Sequence, residues 1–159
     1  MERITPFLWF DSQAEEAASF YVSVFKNDSR ILDIARYSEA GPGTPGTAMT
    51  VRFVLDGQEF IALNGGPEYR FTEAVSFSVN CESQAEVDEF WDRLTEGGEP
   101  GPCGWLKDRY GLSWQINPSI LGRMLADPDA ARAERVMRAM LRMQKIVISE
   151  LEAAYNAAA

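Results

Sequence analysis

The sequence predicts an α+β fold made of two βαβββ-type units, followed by a long C-terminal helix. The first observation is a repeat, because Ser-Gln-Ala-Glu occurs at residues 12–15 and again at residues 83–86. Each copy follows an apolar, strand-like run and has the form of a capping box, which begins a helix. The second observation is Asp56-Gly57 between two strand-like runs, a pattern typical of a tight hairpin.

Each unit begins with a strand and a helix. Residues 4–10 and 75–81 are rich in the β-branched and aromatic residues that favour strands. In the helices that follow, apolar residues recur at three- and four-residue steps, which indicates one buried stripe. The stripes are Ala14, Ala17, Ala18, Tyr21, Val24 and Phe25 in the first helix and Val87, Phe90, Trp91 and Leu94 in the second.

A short antiparallel meander completes each unit. The strand-like runs are residues 30–37, 47–55 and 58–63 in the first unit and residues 104–107 and 112–117 in the second. We therefore expect a single domain over residues 1–159, with internal modules at 1–66 and 72–118 and a helical segment at 119–156. In that segment Asp127-Pro128 has the form of an N-cap with proline at the first helical position. The amphipathic pattern after it predicts a long helix packed on the body or on a second chain.

Composition narrows the classes of partner. Fifteen basic residues against 24 acidic ones give a net charge of −9, which repels nucleic acid and anionic membranes. The sequence shows neither a long apolar run nor a signal-peptide pattern, so we expect a cytoplasmic protein. Cys81 and Cys103 match no zinc motif, and we expect free thiols. The chain has no histidine, which removes the usual general base and the commonest metal ligand.

The glycine-rich stretch at residues 41–46, Gly-Pro-Gly-Thr-Pro-Gly, formally satisfies a phosphate-cradling motif. Such a motif needs a helix directly after it, whereas residues 47–55 are strand-like, and its two prolines remove amide donors. We therefore expect a surface loop rather than a nucleotide site.

Six motifs together resemble the PhnB-like family, also called 3-demethylubiquinone-9 3-methyltransferase-like, of the vicinal-oxygen-chelate superfamily of glyoxalases, bleomycin-resistance proteins and dioxygenases. The similarity runs from Ile4 to Tyr155. The motifs are Pro6-Phe7-Leu8-Trp9-Phe10, Phe20-Tyr21-Val22-Ser23-Val24-Phe25, Leu63-Asn64-Gly65-Gly66-Pro67, Phe71-Thr72-Glu73-Ala74-Val75-Ser76-Phe77, Cys103-Gly104-Trp105-Leu106-Lys107-Asp108 and Gly111-Leu112-Ser113-Trp114-Gln115-Ile116. The resemblance implies paired βαβββ modules with curved mixed sheets around a shared cavity, usually within a homodimer.

Metal-using members of the superfamily hold one divalent ion with side chains from the first and last strands of each module. The matching positions here are Pro6 or Thr5, Asn64, Ala74 and Gln115. Proline and alanine side chains cannot ligate, and neutral amides are weak ligands without anionic neighbours. Glu73 is the nearest carboxylate and either completes such a site or is a solvated loop residue. We expect no cofactor, with a divalent metal as the alternative.

Aromatic and polar residues near the proposed cavity are the candidates for ligand binding, since such walls suit a small organic molecule. The tryptophans could equally be core, because alternate side chains of a strand point to opposite faces. Lys107 and Asp108 either lie at the cavity mouth or are solvated. The candidate lining residues are Trp9, Asn64, Glu73, Ser76, Trp105, Ser113, Trp114 and Gln115.

The leading hypothesis is a small-molecule-binding protein with a metal-independent cavity. Its reaction and its catalytic residues are unknown. Three alternatives stay open at this point: a divalent-metal lyase, isomerase or oxygenase, a methyltransferase as the family label says, and a sequestering resistance protein. The expected partners are a small molecule and a second copy of the chain.

Overall fold

The computed structural model describes residues 3–158, and the chain forms two compact units with the boundary between Phe71 and Thr72. Each unit contains a four-stranded mixed sheet with one helix packed against it. Both follow the strand-helix-strand-strand-strand order that the repeat predicts, which confirms the α+β class. No helix within residues 3–158 combines the length and the apolar character needed to cross a bilayer.

In the first unit the outer strand β1 runs parallel to β4, and the remaining neighbours are antiparallel, in the order β1-β4-β3-β2. Asp56 and Gly57 both have positive φ, which confirms the predicted hairpin turn. The elements are β1 (Phe7–Phe10), α1 (Ala14–Val24), β2 (Arg30–Arg36), β3 (Ala48–Leu55) and β4 (Gln58–Asn64).

The second unit repeats this topology, with the order β5-β8-β7-β6 and a parallel β5–β8 pair. The short strand β6 has no counterpart in the predictions, since two residues are too few to show a period. The elements are β5 (Ser76–Cys81), α2 (Gln84–Thr95), β6 (Glu99–Pro100), β7 (Trp105–Lys107) and β8 (Ser113–Pro118).

The two repeated capping boxes behave differently. Before α2, the Ser83 hydroxyl accepts from the Glu86 amide at 3.2 Å, as predicted, and the Glu86 carboxylate accepts from the Glu82 amide at 2.7 Å. The box predicted for α1, with Ser12 as the N-cap, is wrong. The N-cap of α1 is Gln13, and its side chain makes no capping hydrogen bond. The Ala14 amide instead donates to Asn64 Oδ1 at 2.8 Å, since parallel pairing of β1 and β4 sets Asn64 beside the end of β1.

The C-terminal segment is helical, but it is not one long helix. The predicted helical segment at 119–156 is divided into α3 (Ser119–Leu125), α4 (Ala130–Met140) and α5 (Ile148–Asn156). The predicted start is also shifted, because the N-cap of α4 is Asp129, whose carboxylate accepts from two first-turn amides.

Long-range hydrogen bonds explain why the helix breaks after α4. The Cys103 and Gly104 amides donate to the carbonyls of Met143 and Gln144 at 2.8 and 2.7 Å, so this stretch pairs with the second sheet. The Gln84 side chain donates to the Ile146 carbonyl at 3.0 Å and accepts from the Ile148 amide at 2.7 Å. These partners replace the bonds that a continuous helix would make within itself.

The Gln84 contacts give a first prediction. Replacing Gln84 with alanine leaves the Ile146 carbonyl and the Ile148 amide without these partners, which should lower the free energy of unfolding by about 1–3 kcal/mol. Urea denaturation followed by circular dichroism measures the change. Gln13→Ala, which removes an exposed amide, is the matched control and should stay within about 0.5 kcal/mol of the parent. Equal midpoints for the two variants would contradict this account of the break.

Candidate ligand-binding site

The face of the second sheet opposite α2, here called the polar face, carries four of the eight candidate residues. Successive strand side chains alternate between faces, so Ser113 and Gln115 of β8 share the polar face while Trp114 and Ile116 turn toward the buried side. Cross-strand pairing aligns these residues in rows. One row runs Glu99, Lys107, Ser113 and Ser76 across all four strands, and the next runs Trp105, Gln115 and Ser78.

A cavity of about 370 Å³, here called the first cavity, opens on the first of these rows. Ser113 and Leu106 are deeply buried, with 1% and 2% of their surfaces exposed. Glu73 and Lys107 form an ion pair and keep 59% and 40% of their side chains exposed, so they belong to the rim. The lining residues are Glu73, Glu99, Pro100, Gly101, Pro102, Cys103, Trp105, Leu106, Lys107 and Ser113.

The hydroxyl of Ser113 is buried without a hydrogen-bond partner among residues 3–158. A buried polar group in this state lowers stability, because the bond it would make to water is lost and nothing replaces it. Ser113 lines the first cavity, but its hydroxyl oxygen is covered, so a polar group of a bound molecule would meet it there only after neighbouring atoms move aside. A serine hydroxyl can both donate and accept, so it suits either kind of partner.

The rim ion pair shifts the titration of both its members. The hydrogen bond and positive charge of Lys107 lower the pKa of Glu73. The Glu73 carboxylate raises the pKa of Lys107, with a smaller contribution from the charge of Glu99. The pair is therefore ionised over the whole neutral range.

A second cavity, of about 380 Å³, lies along the next part of the polar face and is bordered by α3 and Met140 of α4. Two of its side-chain amides are already partnered: Gln115 Nε2 donates to Ser76 Oγ at 2.9 Å and Asn117 Nδ2 donates to Ser78 Oγ at 3.0 Å. Trp105 and Cys103 line both cavities.

Trp114 lies on the helix-covered face, with 3% of its surface exposed. Its indole N–H donates to the Asp108 carboxylate at 2.9 Å, and the same carboxylate accepts from the amides of Tyr110 and Leu112. Asp108 is itself buried, so it holds the turn between β7 and β8 from inside. The sequence left two alternatives for Asp108, the cavity mouth and the solvated surface, and the structure shows neither.

The first unit carries the remaining two candidates. Trp9 donates from Nε1 to the Gly66 carbonyl at 2.9 Å and packs edge-on against Tyr69. Any side chain at residue 65 would meet the Trp9 ring, since a Cβ there would lie 2.3 Å from it. Asn64 is held on both sides, because Oδ1 binds the Ala14 amide and Nδ2 donates to the Ala48 carbonyl at 3.0 Å.

The glycine-rich loop at residues 41–46 leads into strand β3, as the sequence predicted, rather than into a helix. The Gly46 amide donates to the Tyr37 carbonyl at 2.9 Å, and the Tyr37 ring leaves no space for a side chain at Gly43. The loop is therefore built as a cover for Tyr37, whose hydroxyl donates to the Asn64 carbonyl at 2.6 Å.

The side chains that match the superfamily's metal positions decide whether a divalent ion fits this chain. Within the described part of the chain, no three acidic, cysteine or histidine side chains group in a way that could hold a metal. Asn64 Oδ1 is bonded to a helix amide and Glu73 is paired with Lys107, so neither offers a free anionic ligand. This donor set does not fit a divalent ion, and the lack of a cofactor stays a prediction.

Both cysteines are free thiols, as predicted. Burial, reinforced by the charges of Glu86 and Glu82, raises the pKa of Cys81 to about 12. Cys103 is half-buried, lines the first cavity and has a left-handed backbone with φ of 57°. Sequence patterns did not single it out as a cavity residue, because its place follows from the pairing of residues 103–104 with 143–144.

The two thiols should react at very different rates with iodoacetamide at pH 8. A pKa three units above its usual 9.0 leaves about a thousandfold less thiolate at Cys81, and the group is also inaccessible. Mass spectrometry should find Cys103 modified in the folded protein and Cys81 modified only after denaturation. Cys103→Ser serves as the control and should take up no label until it unfolds. Rapid labelling of Cys81 in the native state would contradict the buried environment.

Comparison with known proteins agrees with this architecture. Residues 2–117 match the family model described as 3-demethylubiquinone-9 3-methyltransferase. No curated protein matches the chain. The PhnB protein from Bacillus cereus is 38% identical with a TM-score of 0.67, over 74% of this chain and 100% of that one.

Two more distant structures share the fold alone. PA1353 from Pseudomonas aeruginosa is 22% identical with a TM-score of 0.61, over 74% of this chain and 98% of that one. The fosfomycin resistance protein FosX from Listeria monocytogenes is 13% identical with a TM-score of 0.58, over 79% and 98%. The family that the sequence motifs indicated is confirmed: the chain belongs to the 3-demethylubiquinone-9 3-methyltransferase family, the PhnB-like branch of the glyoxalase and bleomycin-resistance superfamily.

Proposed function

We propose that this PhnB-like chain binds a small organic molecule in the first cavity, on the polar face of its second sheet. The observation that carries the proposal is the buried hydroxyl of Ser113, which lines the cavity without a protein partner. The volume of about 370 Å³ falls within the range of roughly 300–1,000 Å³ that is usual for ligand sites.

Serine at position 113 lowers the stability of the ligand-free protein. An unpartnered buried hydroxyl costs about 1–3 kcal/mol, and alanine at the same place would not have this cost. The neighbouring polar residues of the sheet avoid it, because Ser76 and Ser78 both accept hydrogen bonds from side chains of β8. A polar group that lowers stability is expected where binding needs it.

The other lining residues suit the same task. Trp105 offers apolar surface, and Pro100 and Pro102 form a stiff wall on the β6 side. A ligand would therefore bury an apolar body between these groups and direct one polar group at Ser113. These lining residues account for binding, and no reaction is assigned to them.

Ser113→Ala tests the proposal with two measurements of opposite sign. In an NMR screen of aromatic fragments, those that shift the signals of Trp105 and Leu106 should bind the variant about tenfold more weakly, which is the loss of roughly one hydrogen bond. The free energy of unfolding of the ligand-free variant should stay level or rise by about 1 kcal/mol.

Ser23→Ala is the matched control, because it removes a serine hydroxyl that donates to the Phe20 carbonyl in α1. It should leave fragment affinity unchanged. Unchanged affinity in Ser113→Ala, or a clear loss of its stability, would show that the hydroxyl serves the fold instead of a ligand.

A further inference from the structure

The geometry of the first cavity points to its class of ligand: a neutral or cationic aromatic molecule with a hydroxyl or carbonyl group at its buried end, to the exclusion of carboxylates and phosphates. This inference rests on the proposed binding function and adds the charge and the polarity pattern of the ligand.

The charged residues around the first cavity make its rim net negative. Two carboxylates, Glu73 and Glu99, and one ammonium, Lys107, belong to its lining, which leaves a net charge of −1 at the rim. The whole chain carries −9, so the distant charges act in the same direction. An anion approaching this rim is repelled, whereas a cation is attracted.

The arrangement of the rim explains why the positive charge of Lys107 does not overcome the repulsion of an anionic ligand. Its ammonium is already paired with the Glu73 carboxylate, and Glu99 stands opposite it in the β6–β7 register. A ligand carboxylate would have to displace Glu73 and then lie between two remaining negative charges. An amine finds the carboxylate of Glu99 without breaking an existing pair.

The depth of each group sets the orientation of the ligand. The hydroxyl of Ser113 is buried, while Glu99 is exposed on the edge strand of the same row. Two strand spacings separate them, which is roughly 10 Å across the sheet. A ring that carries a hydroxyl at one end and a short ammonium arm at the other spans such a distance.

The walls between these two ends favour a flat apolar body. The Trp105 side chain lies on the polar face of β7, and the prolines on either side of Gly101 fix the facing segment. The Gly101 amide donates to the Trp105 carbonyl at 2.8 Å, and a Cβ at residue 101 would lie 2.8 Å from that same oxygen. The close backbone approach keeps the wall narrow and rigid.

Three probes of one shape separate the charge from the rest: tyramine, 4-ethylphenol and 3-(4-hydroxyphenyl)propionate, titrated into the full chain and followed by NMR. The phenol is common to all, and only the arm changes from cation to neutral group to anion. We expect tyramine to bind tightest and the acid to bind about tenfold more weakly than tyramine at low salt. The difference should shrink as salt is added, because the rim is exposed.

Substitutions at the rim test whether its charges cause the preference for the amine over the acid. Glu99→Gln brings the rim to zero net charge and should reduce the ratio of amine to acid affinity several-fold, whereas Lys107→Met should increase it. Ser113→Ala should weaken all three probes to the same extent. Glu39→Gln removes one exposed carboxylate that does not line the cavity, and it should leave the ratio unchanged.

The outcomes distinguish the two levels of the proposal. Equal binding of acid and amine, or a ratio that Glu99→Gln does not alter, overturns the ligand class while the effect of Ser113→Ala still supports binding in the cavity. Failure of all three probes to shift the cavity signals at millimolar concentration overturns the ligand class and counts against the site itself.

Discussion

The parallel pairing of the first and last strands within each βαβββ unit is the constraint on which the site depends. A parallel pair needs a crossover, and the helix of that crossover covers one face of the sheet. In the second unit this assigns Trp114 and Ile116 to the core beneath α2 and leaves Ser113 and Gln115 on the other face. The positions of Ser113 and Lys107 in the first cavity follow from that division.

The buried carboxylate of Asp108 then fixes the register of the rows. It accepts hydrogen bonds from two backbone amides of the β7–β8 turn and from the indole of Trp114, so the turn cannot slide without losing three bonds to a buried acceptor. A slip of one residue would reverse the faces of a strand. Lys107 and Ser113 stand beside each other because this turn holds them there.

The sequence predicted the order of strands and helices well because those signals are local: period, hairpin turn and the Ser83 cap. The prediction failed where a side chain distant in sequence determines the start or end of a helix. Asn64 does so at the start of α1, and Gln84 does so at the break before α5. In the candidate site, Glu73, Trp105 and Ser113 do line one cavity, whereas Trp114 lies behind the same sheet. Glu99 and Cys103 were missed, since cross-strand register cannot be read from a single sequence.

Trp105 lines both the first and the second cavity, which have similar volumes and lie on the same sheet. A guest that presses on one side of this indole restricts the rotamers it can adopt, and so changes the room available on the other side. Where the indole shifts in this way, a molecule in one cavity alters the affinity of the other cavity, and by reciprocity the factor is the same in both directions.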